Sequence, residues 1–83
     1  MHEQDIKQLL ELNIPDVTVT VTGDGTHFEA VLVSEIFAGK TLVQRHQIVY
    51  QALGEKMGTD IHALSLQTYT PDQWDKKKDL RVI

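Results

Sequence analysis

The chain alternates between two hydrophobic periods. Over residues 3–12, Ile6, Leu9 and Leu10 recur at the three- and four-residue spacing of a helix face. Asn13 and Pro15 supply its stop. The period then drops to two: in DVTVTVT, Val17, Val19 and Val21 alternate with Thr18, Thr20 and Thr22, a half-buried β-strand. GDGT follows, and its Gly-Asp and Asp-Gly pairs tolerate the positive φ of a tight hairpin. HFEAVLVS then reads as a second, antiparallel strand, and its apolar centre predicts that it is the more buried of the two.

EIFAGK is a connection with a glycine turn. Thr41 and Gln44 form a capping box that opens a helix, with Leu42, His46, Val49 and Leu53 on one stripe and Gly54 and Gly58 to break or end it. IHALSLQTY is a third strand, with Leu64 and Leu66 on one face. Thr70 and Gln73 form a second capping box, and Pro71 takes the first helical position. That short helix lets Trp74 pack back onto the domain. The order is α-β-β-α-(α)-β-α in one small α+β domain. Strand two, helix and strand three make a crossover, which predicts two parallel, right-handed neighbours. His27 begins strand two and His62 lies at the start of strand three. Parallel neighbours would therefore bring both imidazoles to one sheet edge, with strands about 4.8 Å apart. The pair is then either structural or half of a ligand set, since a stable ion site usually takes four donors.

Composition narrows the chemistry. At 83 residues the chain is a single domain with a thin core. It has no cysteine, so disulfides and ordinary zinc fingers are excluded, and any metal must use His, Asp or Glu or borrow thiolates from a partner. The start, Met1-His2-Glu3-Gln4-Asp5, has no signal-peptide pattern, and the aliphatic run at residues 30–33 is too short for a membrane span; a cytoplasmic location is the expectation. A net charge of −4 argues against generic nucleic-acid binding. The basic run Lys76-Lys77-Lys78 with Arg81 reads as a solvated tail. A solvent-facing sheet edge predicts a monomer or a weak homodimer.

AGKT invites a phosphate-loop reading, but Ser34 stands where that motif needs its first glycine, so Gly39-Lys40-Thr41 is a turn and a cap. The two serines, at 34 and 65, both fall in expected strands and make no hydrolytic arrangement; the chain is expected not to be an enzyme. His46, on its helix stripe, reads as a partly buried histidine with one hydrogen bond. His2 lies in a terminus prone to fray.

Together, GDGTHFEAVLVSEIFAGKTLVQRHQIVYQAL and IHALSLQTYTPDQW resemble the BolA family, especially its short YrbA-like bacterial branch, across about residues 5–76, with residues 77–83 as a tail. The combination is specific: H-F opening a strand, F-x-G before a helix, R-H-x-x-V-Y within it, then H-A-L-S-L-x-T-Y-T-P-x-x-W. The resemblance implies a fold similar to the class II KH domain, a three-stranded mixed sheet with helices on one face. It implies partnership with monothiol glutaredoxins of the CGFS type, in iron–sulfur trafficking or iron, redox and stress regulation. In such pairs a [2Fe-2S] cluster bridges the two proteins, with sulfur ligands from the glutaredoxin cysteine and glutathione. Carried over, His62 matches the principal ligand, and His27 falls where members carry Cys or His as a second. Arg45 and His46, on the helix, are candidates for partner contacts. A second class of function, nucleic-acid regulation, would call on Lys40 and Arg45, but the GXXG clamp of RNA-binding KH domains is missing. A third is an adaptor that binds glutaredoxin without a cluster.

Overall fold

The computed structural model describes residues 2–24, 26–54 and 63–82, with side chains as far as Lys77. Helix α1 spans Glu3–Asn13, strand β1 Thr18–Gly23 and strand β2 His27–Val33. A 3-10 turn, Glu35–Phe37, leads to helix α2, Leu42–Leu53, then strand β3, Ala63–Tyr69, and helix α3, Pro71–Val82. The bracketed extra helix and Gly58 fall within 55–62, outside the described residues.

The sheet has the order β1-β2-β3, with β1 antiparallel and β3 parallel to β2. The crossover expected from the sequence is therefore present. Central β2 buries Phe28, Ala30 and Leu32 on one parity. Val19 joins them from β1, with Leu64 and Leu66 from β3 packed against the same cluster. Ile6 and Leu10 of α1 and Val49 and Leu53 of α2 close this face. Two consecutive turns of α1 thus meet the sheet through one stripe, and burial of such side chains is the main stabilising term, about 1.5–3 kcal/mol each. Asn13 ties the two helix ends, its Nδ2 donating to Leu9 O at 2.9 Å and Ala52 O at 3.2 Å.

Both capping boxes form. Gln44 N donates to Thr41 Oγ1 and Thr41 N to Gln44 Oε1; Gln73 and Thr70 repeat the exchange at α3. The stripe on α2 is shorter than its spacing suggests: Leu42 is 64% exposed, because the first turn of the helix stands clear of the core and burial begins deeper, at Val49. Strand β2 ends at Val33, so Ser34 is not a strand residue. It is buried, donates to Pro15 O at 3.0 Å and accepts from Ile36 N at 3.2 Å, which starts the 3-10 turn.

Helix α3 is longer than the short helix expected and runs through residues 77–82. It packs against Tyr69 and Gln67, whose parity on β3 is opposite to that of Leu64 and Leu66. Trp74 does return to the domain, its ring 5.4 Å from that of Tyr69. Lys77 is half-buried rather than solvated: its Nζ donates to Gln67 Oε1 and Tyr69 Oη and lies 4.8 Å from the Tyr69 ring centre. Lys76, in contrast, is exposed and pairs with Asp72 at 3.2 Å.

Candidate ligand site at the sheet entrance

The turn between β1 and β2 is built by one carboxylate. Asp24 Oδ1 accepts the amide of Thr26 at 3.0 Å and that of His27 at 2.8 Å. Asp24 N donates back to His27 O at 3.2 Å. Aspartate suits this position because its short side chain reaches amides two and three residues on. The two amides, His27 first and Thr26 second, hold the Asp24 carboxyl below its ordinary value, with a smaller contribution from the His27 charge. Gly23 completes the turn by having no side chain: a Cβ there would stand 2.6 Å from His27 O and 2.6 Å from Phe28 Cδ1.

His27 leaves this turn as the first residue of β2 and is exposed. Its register partner across the parallel pairing is Ala63. His62 precedes Ala63 in the chain and lies outside the described residues. The strand adjacency that a two-histidine site requires is present on the His27 side. His27 shares its parity with Glu29 and Val31, on the face turned away from α1 and α2.

The donor set of this chain decides what such a site could hold. There is no thiolate, and among the described residues no group of three or more His, Asp or Glu side chains converges. An exposed imidazole at the end of the central strand can offer one nitrogen donor outward, beside donors that come from elsewhere. It does not form a closed cage.

The other candidates lie at the far end of the sheet. From His27 to Val33, β2 covers about 20 Å at the usual strand rise. Near its exit, Lys40 Nζ donates to Ile36 O at 2.7 Å. Arg45 Nε donates to Lys40 O at 3.1 Å, and its Nη1 to Thr68 O at 3.3 Å and Gln73 Oε1 at 2.9 Å. Arg45 therefore joins the start of α2, the end of β3 and the cap of α3. His46 is half-buried, edge-on to Tyr50 with ring centres 6.3 Å apart. Its Nε2 is buried without the hydrogen bond expected for it.

The sequence reading used Asp24 for its Gly-Asp and Asp-Gly turn pairs and missed its carboxylate, although Asp at the head of a short turn commonly accepts from amides two and three residues on. It also passed over Lys77, whose partners come from another element and leave no local pattern.

A model of the family described as BolA-like protein matches residues 5–73. Over 81 residues, 96% of both chains, the sequence is 36% identical to the acid stress protein IbaG of Escherichia coli strain K12. It is 42% identical over 57 residues to the DNA-binding transcriptional regulator BolA of the same organism, spanning 69% of this chain but only 54% of that relative. In structure it is similar to a bolA protein homologue from Coxiella burnetii, with a TM-score of 0.83, 49% identity, and coverage of 90% of this chain and 97% of the other. Among the described residues, no helix is long and apolar enough to cross a membrane.

Proposed function

The chain belongs to the BolA-like protein family, and from that membership we propose that it is a non-enzymatic partner of a monothiol CGFS glutaredoxin, co-ligating a [2Fe-2S] cluster that bridges the two proteins. The observation that carries the reading is His27: an exposed imidazole, fixed at the entrance of β2, beside the strand that His62 precedes. His27 and His62 would supply nitrogen, while the glutaredoxin cysteine and its glutathione supply sulfur. When bound, the group provides one-electron redox chemistry, and histidine on one iron raises its potential. The part of this chain is to present neutral imidazole from a rigid edge and leave the thiolate positions to its partner. Such a protein serves cluster trafficking or iron, redox and stress regulation.

The test is co-expression with a CGFS glutaredoxin, purification without oxygen, and visible absorption and circular dichroism of wild type, His62→Ala and His27→Ala. The reading expects a cluster spectrum distinct from that of glutaredoxin alone, altered when His62 is removed. A complex whose spectrum matches glutaredoxin alone in all three would leave an adaptor that binds without a cluster.

A second reading, nucleic-acid regulation, draws on the similarity to the DNA-binding transcriptional regulator of E. coli. It would need free cations, and the two best placed, Lys40 and Arg45, already donate within the chain. Binding carried by phosphate contacts should weaken steeply as salt rises.

A further inference from the structure

We propose that Asp24 is the positioning residue for His27, fixing the point from which the imidazole is offered; the proposal rests on the reading of His27 as a ligand. One carboxylate oxygen takes the amides of Thr26 and His27, at 3.0 and 2.8 Å. The return bond from Asp24 N to His27 O, at 3.2 Å, closes the turn as a ring. On the same side, the bare Cα of Gly23 lets the His27 carbonyl approach to a distance that any side chain would forbid. On the other side, β3 meets His27 at Ala63.

The main chain of His27 is thus held by Asp24 at both its N–H and its C=O, by Gly23 and by β3, while the side chain stays exposed. A ligand on a mobile loop must be ordered when it binds, which weakens binding; one on a fixed backbone has only its side-chain torsions left to settle. Such support is what separates a site that holds its ligand from one that is merely present. Asp24 acts through the backbone, by the reach and direction of one oxygen. Asparagine offers the same oxygen at the same reach. Glutamate keeps the charge but moves the oxygen by one methylene.

The experiment uses the full chain with Asp24→Ala, Asp24→Asn and Asp24→Glu. It measures amide hydrogen exchange of Thr26 and His27 in the isolated protein, and visible circular dichroism after co-expression with a CGFS glutaredoxin. Asp24→Ala should exchange both amides about tenfold faster, as loss of one ordinary hydrogen bond predicts. It should also reproduce the spectral change of His27→Ala. Asp24→Asn should restore both readouts, and Asp24→Glu should resemble Asp24→Ala. Unchanged exchange in Asp24→Ala overturns the proposal. So does a wild-type spectrum in Asp24→Ala beside an altered one in His27→Ala, which would make the turn structural only. Wild-type behaviour of Asp24→Glu with failure of Asp24→Asn would assign the effect to charge and overturn the proposal as well. A spectrum unchanged by His27→Ala and His62→Ala removes the ligand reading itself, a different result from any of these.

Discussion

Arg45 Nη1 lies 2.9 Å from Gln73 Oε1, the oxygen that also accepts Thr70 N at 3.0 Å to cap α3. One glutamine oxygen therefore serves both as a helix cap and as the landing point of a guanidinium from α2. Through this contact, and through Thr68 O, the start of α2 sets where α3 leaves the sheet. Arg45→Ala should cost about 1–2 kcal/mol, the usual range for a few part-exposed, charge-assisted hydrogen bonds. Trp74, the single tryptophan, follows Gln73 and reports on α3, so its emission should shift towards that of a solvated indole. Denaturant unfolding followed by fluorescence checks both. Arg45→Lys should recover only part of the loss, because its three acceptors are reached from two separate nitrogens, Nε and Nη1, and a single ammonium nitrogen lacks that spread.

Gly23 makes a sharper prediction. The clash that a Cβ would make there is with a backbone oxygen and a buried ring, and neither can swing aside. Phe28 is 5% exposed and belongs to the core cluster. Gly23→Ala should therefore destabilise the chain by about 2–3 kcal/mol, in the range of overpacked core sites. A thermal midpoint close to wild type would show that the turn can reopen at little cost.

The hairpin, the crossover and both capping boxes were legible because each is written in local signals: a period of two, Gly-Asp-Gly, and Thr three residues before Gln. The placement of His27 at a parallel sheet entrance followed from the crossover rule alone. What was not legible depends on contacts between distant residues. Nothing near Leu42 reveals that its turn overhangs the core, and nothing near Lys77 reveals that Tyr69 and Gln67 wait eight and ten residues back on the opposite parity. For the same reason Arg45, isolated in sequence as a cation, is spent on joining three elements of the fold.

Lys76 and Lys77 are adjacent in sequence and should respond very differently to the same change. Lys76 makes an exposed i,i+4 pair with Asp72 at 3.2 Å, worth about 0.3–0.5 kcal/mol at most. Lys77 donates to two side chains on β3 and covers the Tyr69 ring. Lys77→Ala should cost about 1–2 kcal/mol from the hydrogen bonds and the ring contact together. Lys76→Ala should be close to neutral in the same urea titration. Equal effects would return both residues to the solvated run that composition suggests.

Acid should act on the sheet entrance in two separate steps. Asp24 has its folded pKa depressed by the His27 and Thr26 amides. A depressed carboxyl contributes stability that is complete above its unfolded value, about 3.9, and is lost as pH falls through the lower folded value. The turn should thus keep its amides protected through the mildly acidic range and release them only below it. Imidazole ligation is lost by a separate route, because protons compete with iron for the ring nitrogen. In a complex with glutaredoxin, the cluster spectrum should therefore weaken in mild acid while the Thr26 and His27 amides of the isolated chain still resist exchange. Exchange corrected for its intrinsic pH dependence, set beside visible circular dichroism across the same pH series, separates the steps. If cluster loss waited for the turn to open, the carboxylate would be the acid-sensitive element and histidine ligation would not account for it.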